Sequence, residues 1–168
     1  MIKRINKIPV AAIVLSTLLI SSCRDNVIYT EYVTIPGNTW NLTNVPSFSF
    51  PIADTLASAN ILFSIRTGSD YPFRNIYFFV SVTSPDGKTI GDTLEYFLAD
   101  EKGKWHGKGF GDIKELSMPF KSNVYFPVRG RYTITVQHGM RVVDLPGVYD
   151  LGLRIEKVAG QITDRGKK

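Results

Sequence analysis

The chain predicts an all-β fold: a single antiparallel β-sandwich, jelly-roll or immunoglobulin-like, behind an N-terminal lipoprotein signal. Three observations carry that expectation. Apolar and polar residues alternate with a period of two in six separate segments, turn-forming clusters lie between them, and no segment holds a helical stripe longer than two turns. A parallel sheet would need helices alternating with the strands, so short strands joined by turns point to an antiparallel sandwich.

Residues 1–22 read as an export signal. Lys3, Arg4 and Lys7 form a basic start, Ile8 to Ile20 an apolar stretch, and Ser21-Ser22 a small-residue cleavage site. Thirteen apolar-rich residues are too few to span a bilayer, which takes roughly 18 to 20. Cys23 follows at once and is the chain's one cysteine. An aliphatic residue and two small residues before a cysteine form a lipobox, whose thiol is alkylated by diacylglycerol and whose new amino terminus is acylated in turn. Each buried methylene adds about 0.8 kcal/mol of membrane affinity, and one chain holds only marginally, so a durable tether needs two or three. Lipidation at Cys23 consumes the thiol, which leaves neither a disulfide nor a cysteine nucleophile.

Residues 23–26 are then a lipidated N-terminus and short tether, with no Ser/Gly/Pro spacer to carry the domain far from the bilayer. No acidic run follows Cys23, so the expected location is the outer membrane, facing the periplasm. Removing the signal leaves 146 of 168 residues, enough for one domain, and takes the formal charge from +5 to +2. The basic balance belongs largely to the leader and to Arg165, Lys167 and Lys168. Export and a near-neutral mature chain argue against nucleic acid as a partner.

Residues 27–158 hold the expected sandwich. Strands are predicted at Val27–Ile35, Ile61–Arg66, Ile76–Thr83, Thr93–Leu98, Arg131–His138 and Val148–Val158. In Arg131–His138 the set Tyr132, Ile134, Val136 alternates with Arg131, Thr133, Thr135, Gln137, the pattern of a half-buried strand with one wet face. Gly68-Ser69-Asp70, Pro85-Asp86-Gly87-Lys88 and Arg129-Gly130 supply turn chemistry. Ala53 to Asn60 reads as a short helix or turn. The tail 159–168 is polar and charged and is expected to be flexible.

The densest unusual segment is Gly103-Lys104-Trp105-His106-Gly107-Lys108-Gly109-Phe110-Gly111-Asp112. A glycine-rich loop that cradles phosphate needs a helix after it, and no helical pattern follows. Two readings remain. Glycines permit positive φ and close backbone approach in a long hairpin, with Trp105 folded back over the sheet. Alternatively Trp105, Phe110, Lys104 and Lys108 form an exposed surface that contacts a protein or glycan. Asp86, Asp92, Asp100, Asp112 and Asp150 invite calcium, but their spacing matches no EF-hand-like loop, and aspartates so placed more commonly cap turns or pair with Lys and Arg. With only His106 and His138 available and no Gly-x-Ser-x-Gly elbow, a hydrolase would need one of them near both a carboxylate and a hydroxyl. No metal or other cofactor is expected.

Further marks lie in Tyr71-Pro72-Phe73-Arg74-Asn75, Asp92-Thr93-Leu94-Glu95 with Leu98-Ala99-Asp100, Met140-Arg141, and Leu145 to Ile155 ending Gly152-Leu153-Arg154-Ile155. With the lipobox and the glycine and tryptophan run, these resemble the gliding-motility lipoprotein family GldH through most of the mature chain. The resemblance implies a cell-envelope lipoprotein, needed for surface gliding and linked to the associated secretion machinery, with no catalytic residue or cofactor. Its partners are then membrane lipid through acylated Cys23 and envelope proteins of the gliding machinery. The competing expectation is a lipid-anchored glycan-binding sandwich, because fold alone does not fix function.

Overall fold

The computed structural model describes residues 26–158. The signal, Cys23 and the tail 159–168 lie outside the described residues. Ten strands follow one another: β1 (Val27–Thr34), β2 (Thr39–Asn41), β3 (Ser47–Ile52), β4 (Ala59–Thr67), β5 (Asn75–Thr83), β6 (Thr89–Phe97), β7 (Lys114–Val124), β8 (Gly130–His138), β9 (Asp144–Pro146) and β10 (Val148–Lys157). One sheet runs β1-β10-β4-β7 and the other β3-β8-β5-β6, both antiparallel, with β2 and β9 as a small separate ribbon. With that ribbon set aside, the eight long strands have chain order 1-8-3-6 in one sheet and 2-7-4-5 in the other. This is jelly-roll connectivity, two Greek keys wound into one sandwich, and it decides between the two topologies the sequence left open.

Alternation in the sequence becomes alternation in burial. In β3 the residues Phe48, Phe50 and Ile52 point inward and Ser47, Ser49 and Pro51 outward. In β8, Tyr132, Ile134, Val136 and His138 are the buried set. The sheets meet through aromatic rings: Phe63 of β4 stands edge-on to Phe78 of β5 at 5.8 Å, and Phe50 of β3 edge-on to Phe126 at 5.8 Å. Trp40 of β2 closes the sandwich against Phe78, also at 5.8 Å. Fully burying a side chain such as Phe stabilises by roughly 1.5–3 kcal/mol relative to exposure, so this cluster is the main source of stability.

All six expected strands are present, with boundaries that differ by a few residues at most. Two long ones, β3 and β7, go beyond that expectation. Each carries a proline, Pro51 and Pro119, which argues against a central strand. Both strands are sheet edges, where the missing N–H leaves no ladder position unfilled. In Ala53–Asn60 the turn reading holds: the Asp54 carboxylate accepts from the N–H groups of Leu56 (3.0 Å) and Ala57 (3.3 Å), and β4 begins at Ala59.

The connectivity gives the sandwich two distinct ends. Segments 53–58, 84–88 and 125–129 turn at one end, and the described chain both enters and leaves there. Lys157 N–H donates to the Asn26 carbonyl (2.7 Å) and Val158 N–H to that of Ser58 (3.0 Å). The opposite end carries segments 68–74 and 98–113, together with the β2–β9 ribbon and its flanks.

Candidate functional site

Segment 98–113 is built as two small backbone locks. Asp100 accepts from the N–H groups of Lys102 (2.8 Å) and Lys104 (2.9 Å), and its own N–H donates to the Lys104 carbonyl (2.9 Å). Gly103 turns the chain there at φ +79°. Further on, Lys108 and Glu115 exchange both backbone hydrogen bonds at 2.8 Å. Just inside the second pair Gly109 lies so close to the returning chain that a Cβ would stand 2.1 Å from the Ile113 carbonyl oxygen, so only glycine fits.

These locks decide where the four candidate contact residues go. Trp105 pairs with Ala99 and is half-buried, its indole edge-on to Tyr71 at 6.1 Å. Lys104 and Lys108 are exposed, and Phe110 is fully exposed at the loop tip. The segment thus holds Trp105 back against Ala99 and Tyr71, while Phe110 stands out in water.

Sequence reasoning singled out 71–75, 92–95 and 140–141 separately, and the fold brings members of all three together. A surface pocket of about 540 Å³ is lined by Phe73, Asn75, Tyr77 and the run Gly139 to Val142. Asn75 Nδ2 donates to Glu95 Oε1 (2.7 Å), Gly139 N–H to the Tyr77 carbonyl (2.7 Å), and Tyr77 N–H meets Met140 Sδ at 3.4 Å. The hydrogen bond from the Tyr77 hydroxyl to Glu95 raises its pKa, with Arg141 opposing. Beside this pocket lies a hollow of about 320 Å³ formed by Arg74, Phe97, Ala99, Asp100, Glu101 and His106, where the Arg74 guanidinium sits 5.3 Å over the Phe97 ring. Tyr77, Phe79 and Phe97 leave the outer face of β5 and β6 partly apolar and exposed. Sequence reading missed these three rings as surface groups. For Tyr77 and Phe79 the signal was a run of three aromatics, Tyr77-Phe78-Phe79, which in a strand must put rings on both faces of β5.

Four of the five candidate aspartates are occupied with structure: Asp100 in the turn to Lys104, Asp86 with Ser84 and with Lys88 at 2.9 Å, Asp92 with Lys121 at 2.5 Å, and Asp150 with Arg66 at 3.4 Å. His138 is fully buried with its ring 5.4 Å from Trp40. Burial lowers its pKa, opposed by the backbone carbonyls of Val143 and Trp40, which face the ring without reaching full hydrogen-bond geometry, and by Asp144. His106 is exposed in segment 98–113.

The GldH lipoprotein family model matches residues 27–155, the whole of both sheets apart from the last two residues of β10. The chain belongs to the GldH lipoprotein family. It is 34% identical over 151 residues to a gliding motility lipoprotein GldH homolog of Christiangramia forsetii, covering 86% of this chain and 92% of that protein. To the gliding motility lipoprotein GldH of Flavobacterium johnsoniae it is 33% identical over 152 residues, covering 86% and 94%. In this GldH-family chain the pocket and segment 98–113 both lie at the end away from the described N-terminus.

Proposed function

We propose that this chain is a lipid-anchored, non-catalytic component of the cell envelope that assembles or stabilises a protein complex serving gliding and its associated secretion. Acylated Cys23 holds it, most simply to the outer membrane facing the periplasm, by the short tether 23–26, and residues 27–158 act as one domain. One observation carries this reading. The described chain starts at one end of the jelly roll, while Phe110, Lys104, Lys108 and the pocket beside them lie at the other. A protein anchored at its base and presenting contacts at its far end is suited to bridging a membrane and a partner. The names of its relatives supply the process.

The experiment is a mild-detergent pull-down of the full chain from its native envelope, beside the Cys23→Ala and Phe110→Ala forms. Specific envelope proteins that co-purify with the native chain, and are lost from both variants, are the expected result. An unchanged partner set in Phe110→Ala removes the far-end contact from the reading.

A second reading has its own support: the half-exposed rings of Tyr77, Phe79 and Phe97 beside a pocket that also carries Asn75 and Arg141 are what a sugar face packs against. Recovery of peptidoglycan or polysaccharide without protein partners would favour that glycan-binding module.

A further inference from the structure

At the end where the described chain begins and leaves, the sandwich is open along one corner. β6 and β7 are edge strands of opposite sheets. Register puts Ile90, Asp92, Leu94 and Tyr96 of β6 opposite Val82, Val80, Phe78 and Ile76 of β5, so all four belong to the inward row. Yet Ile90 is 67% exposed. No strand of the other sheet covers it, and the gap continues inward as a cleft of about 360 Å³ whose floor and walls include Ile61, Val82, Phe120, Phe126 and Tyr132.

The cleft is apolar, and its polar groups face elsewhere or sit at the rim. The Tyr132 hydroxyl donates to the Val128 carbonyl (3.0 Å) and accepts from the Val128 N–H (3.2 Å). Lys121 and Asp92 pair with each other at the lip, and the Lys121 ammonium also stands 5.0 Å over the Phe120 ring. A ligand bound deep in this cleft finds methyl groups and ring faces, with charge only at the entrance. That is the lining for a hydrocarbon chain with a polar head left outside.

Position selects the source of that chain. Val124 at the cleft pairs with Ala59, Ala59 with Lys157, and Lys157 N–H donates to Asn26. Three strand spacings, about 14 Å, therefore separate the cleft from β1. Cys23 lies four residues before Val27, so the tether reaches at most about 14 Å. An anchored Cys23 holds this end, and the mouth of the cleft with it, at the bilayer surface.

We propose that the cleft between β6 and β7 takes up one acyl chain of a phospholipid from the membrane in which the protein is anchored. The inference rests on the anchor at Cys23. Seating the chain covers Ile90 and the apolar cleft walls, and the removal of this protein surface from water holds the domain upright on the bilayer. The Lys121 and Asp92 pair lies at the height of the headgroup.

The test uses the full mature chain in phosphatidylethanolamine vesicles doped with a phospholipid that carries a photoactivatable diazirine on one acyl chain. After illumination, adducts are mapped by mass spectrometry. The expected result is labelling concentrated on residues 118–127 and 89–92 above the loop tips 53–57 and 84–88 at the same end. Ile90→Glu, which places a carboxylate in the mouth, lowers that labelling roughly tenfold, while Ile90→Leu leaves it unchanged. Because Ile90 is exposed, both variants fold, and a thermal melt of each checks this. Equal labelling of all tips, or no effect of Ile90→Glu, overturns the proposal and indicates mere nearness to the bilayer or a partner's side chain in the cleft. The intact mass of the same sample reads the anchor separately: a lipidated chain without cleft adducts defeats the cleft alone, and an unmodified Cys23 defeats both.

Discussion

Trp105 stands edge-on to Tyr71 with ring centroids 6.1 Å apart, and the Tyr71 hydroxyl donates to the Asn75 carbonyl at 2.8 Å. One candidate contact residue is thereby fixed to the core, while its neighbour Phe110 touches water on all sides. The two variants should separate stability from binding. Trp105→Ala removes about half of a large buried ring and should cost about 2 kcal/mol in urea denaturation, below the loss for a fully buried tryptophan. Phe110→Ala should stay within about 0.5 kcal/mol of the native chain and still lose envelope partners in a pull-down. Equal stability of the two variants would place the Trp105 ring outside the packed structure.

Gly147, like Gly109, is a position where the fold tolerates no side chain. Its φ is +75°, and a Cβ there would stand 2.4 Å from the Tyr71 backbone nitrogen. The left-handed conformation alone costs a non-glycine residue roughly 1–2 kcal/mol, and backbone on both sides of the contact leaves no flexible atom to move aside. Gly147→Ala should lose at least about 2 kcal/mol and should shift the tryptophan fluorescence, through Tyr71 to Trp105 and through Leu145 to Trp40. A native urea midpoint in this variant would show that segment 68–74 yields freely.

His138 makes stability depend on pH. Burial holds its pKa below the usual 6.5, so the folded state keeps the ring neutral while the unfolded chain binds a proton more readily. Stability is full above pH 6.5 and falls as pH drops toward the folded pKa, with a slope of at most about 1.4 kcal/mol per unit, and this contribution flattens below it. His138→Phe keeps an aromatic ring against Trp40 and should remove that slope. Denaturation midpoints of both proteins between pH 5 and 7.5 provide the comparison, and parallel curves would assign the slope to another group.

Much of this fold was legible because one face of each strand is wet. Tyr132, Ile134 and Val136 against Thr133, Thr135 and Gln137 announce β8 without any help from tertiary structure. β3 alternates just as regularly, but Pro46 and Pro51 obscure it, and only its place at a sheet edge explains why proline is harmless there. The jelly-roll order was not readable, since pairing of β1 with β10 joins residues more than a hundred positions apart and local patterns say nothing about it. The far-end site was legible in pieces. Arg74 and Asn75, Glu95, and Met140 with Arg141 stood out in three separate motifs, and it took the β5–β6 register and the close approach of Gly139 to Tyr77 to make them one surface. The open corner at Ile90 gave no sequence signal, because an apolar residue in an inward position reads as core.

A last relationship ties four strands together on the outer face of the β1-β10-β4-β7 sheet. Arg66 Nε on β4 lies 2.8 Å from Glu115 Oε2 on β7, the Tyr32 hydroxyl of β1 donates to Glu115 Oε1 at 2.7 Å, and Arg66 Nη1 reaches Asp150 Oδ2 on β10 at 3.4 Å. The guanidinium also stands 4.8 Å over the Tyr32 ring. Burial pushes the Glu115 carboxyl up, but the hydrogen bonds from Arg66 and Tyr32 and the charge of Arg66 outweigh it and leave its pKa below 4.5. A lowered carboxylate adds stability that is present above pH 4.5 and is lost as pH falls through the folded value. Side chains 41% and 36% exposed are well screened, so Glu115→Gln should cost only about 1 kcal/mol at pH 7 and low salt. The gap between native and variant should narrow in high salt, and again as pH drops below 4.5, because protonation of the native carboxyl then removes the same ion pair. Urea denaturation at pH 7 and pH 3.5, with and without added salt, measures both effects. A gap that survives acid would mean that shape and hydrogen bonding at Tyr32, and not the charge on Glu115, hold the four strands in register.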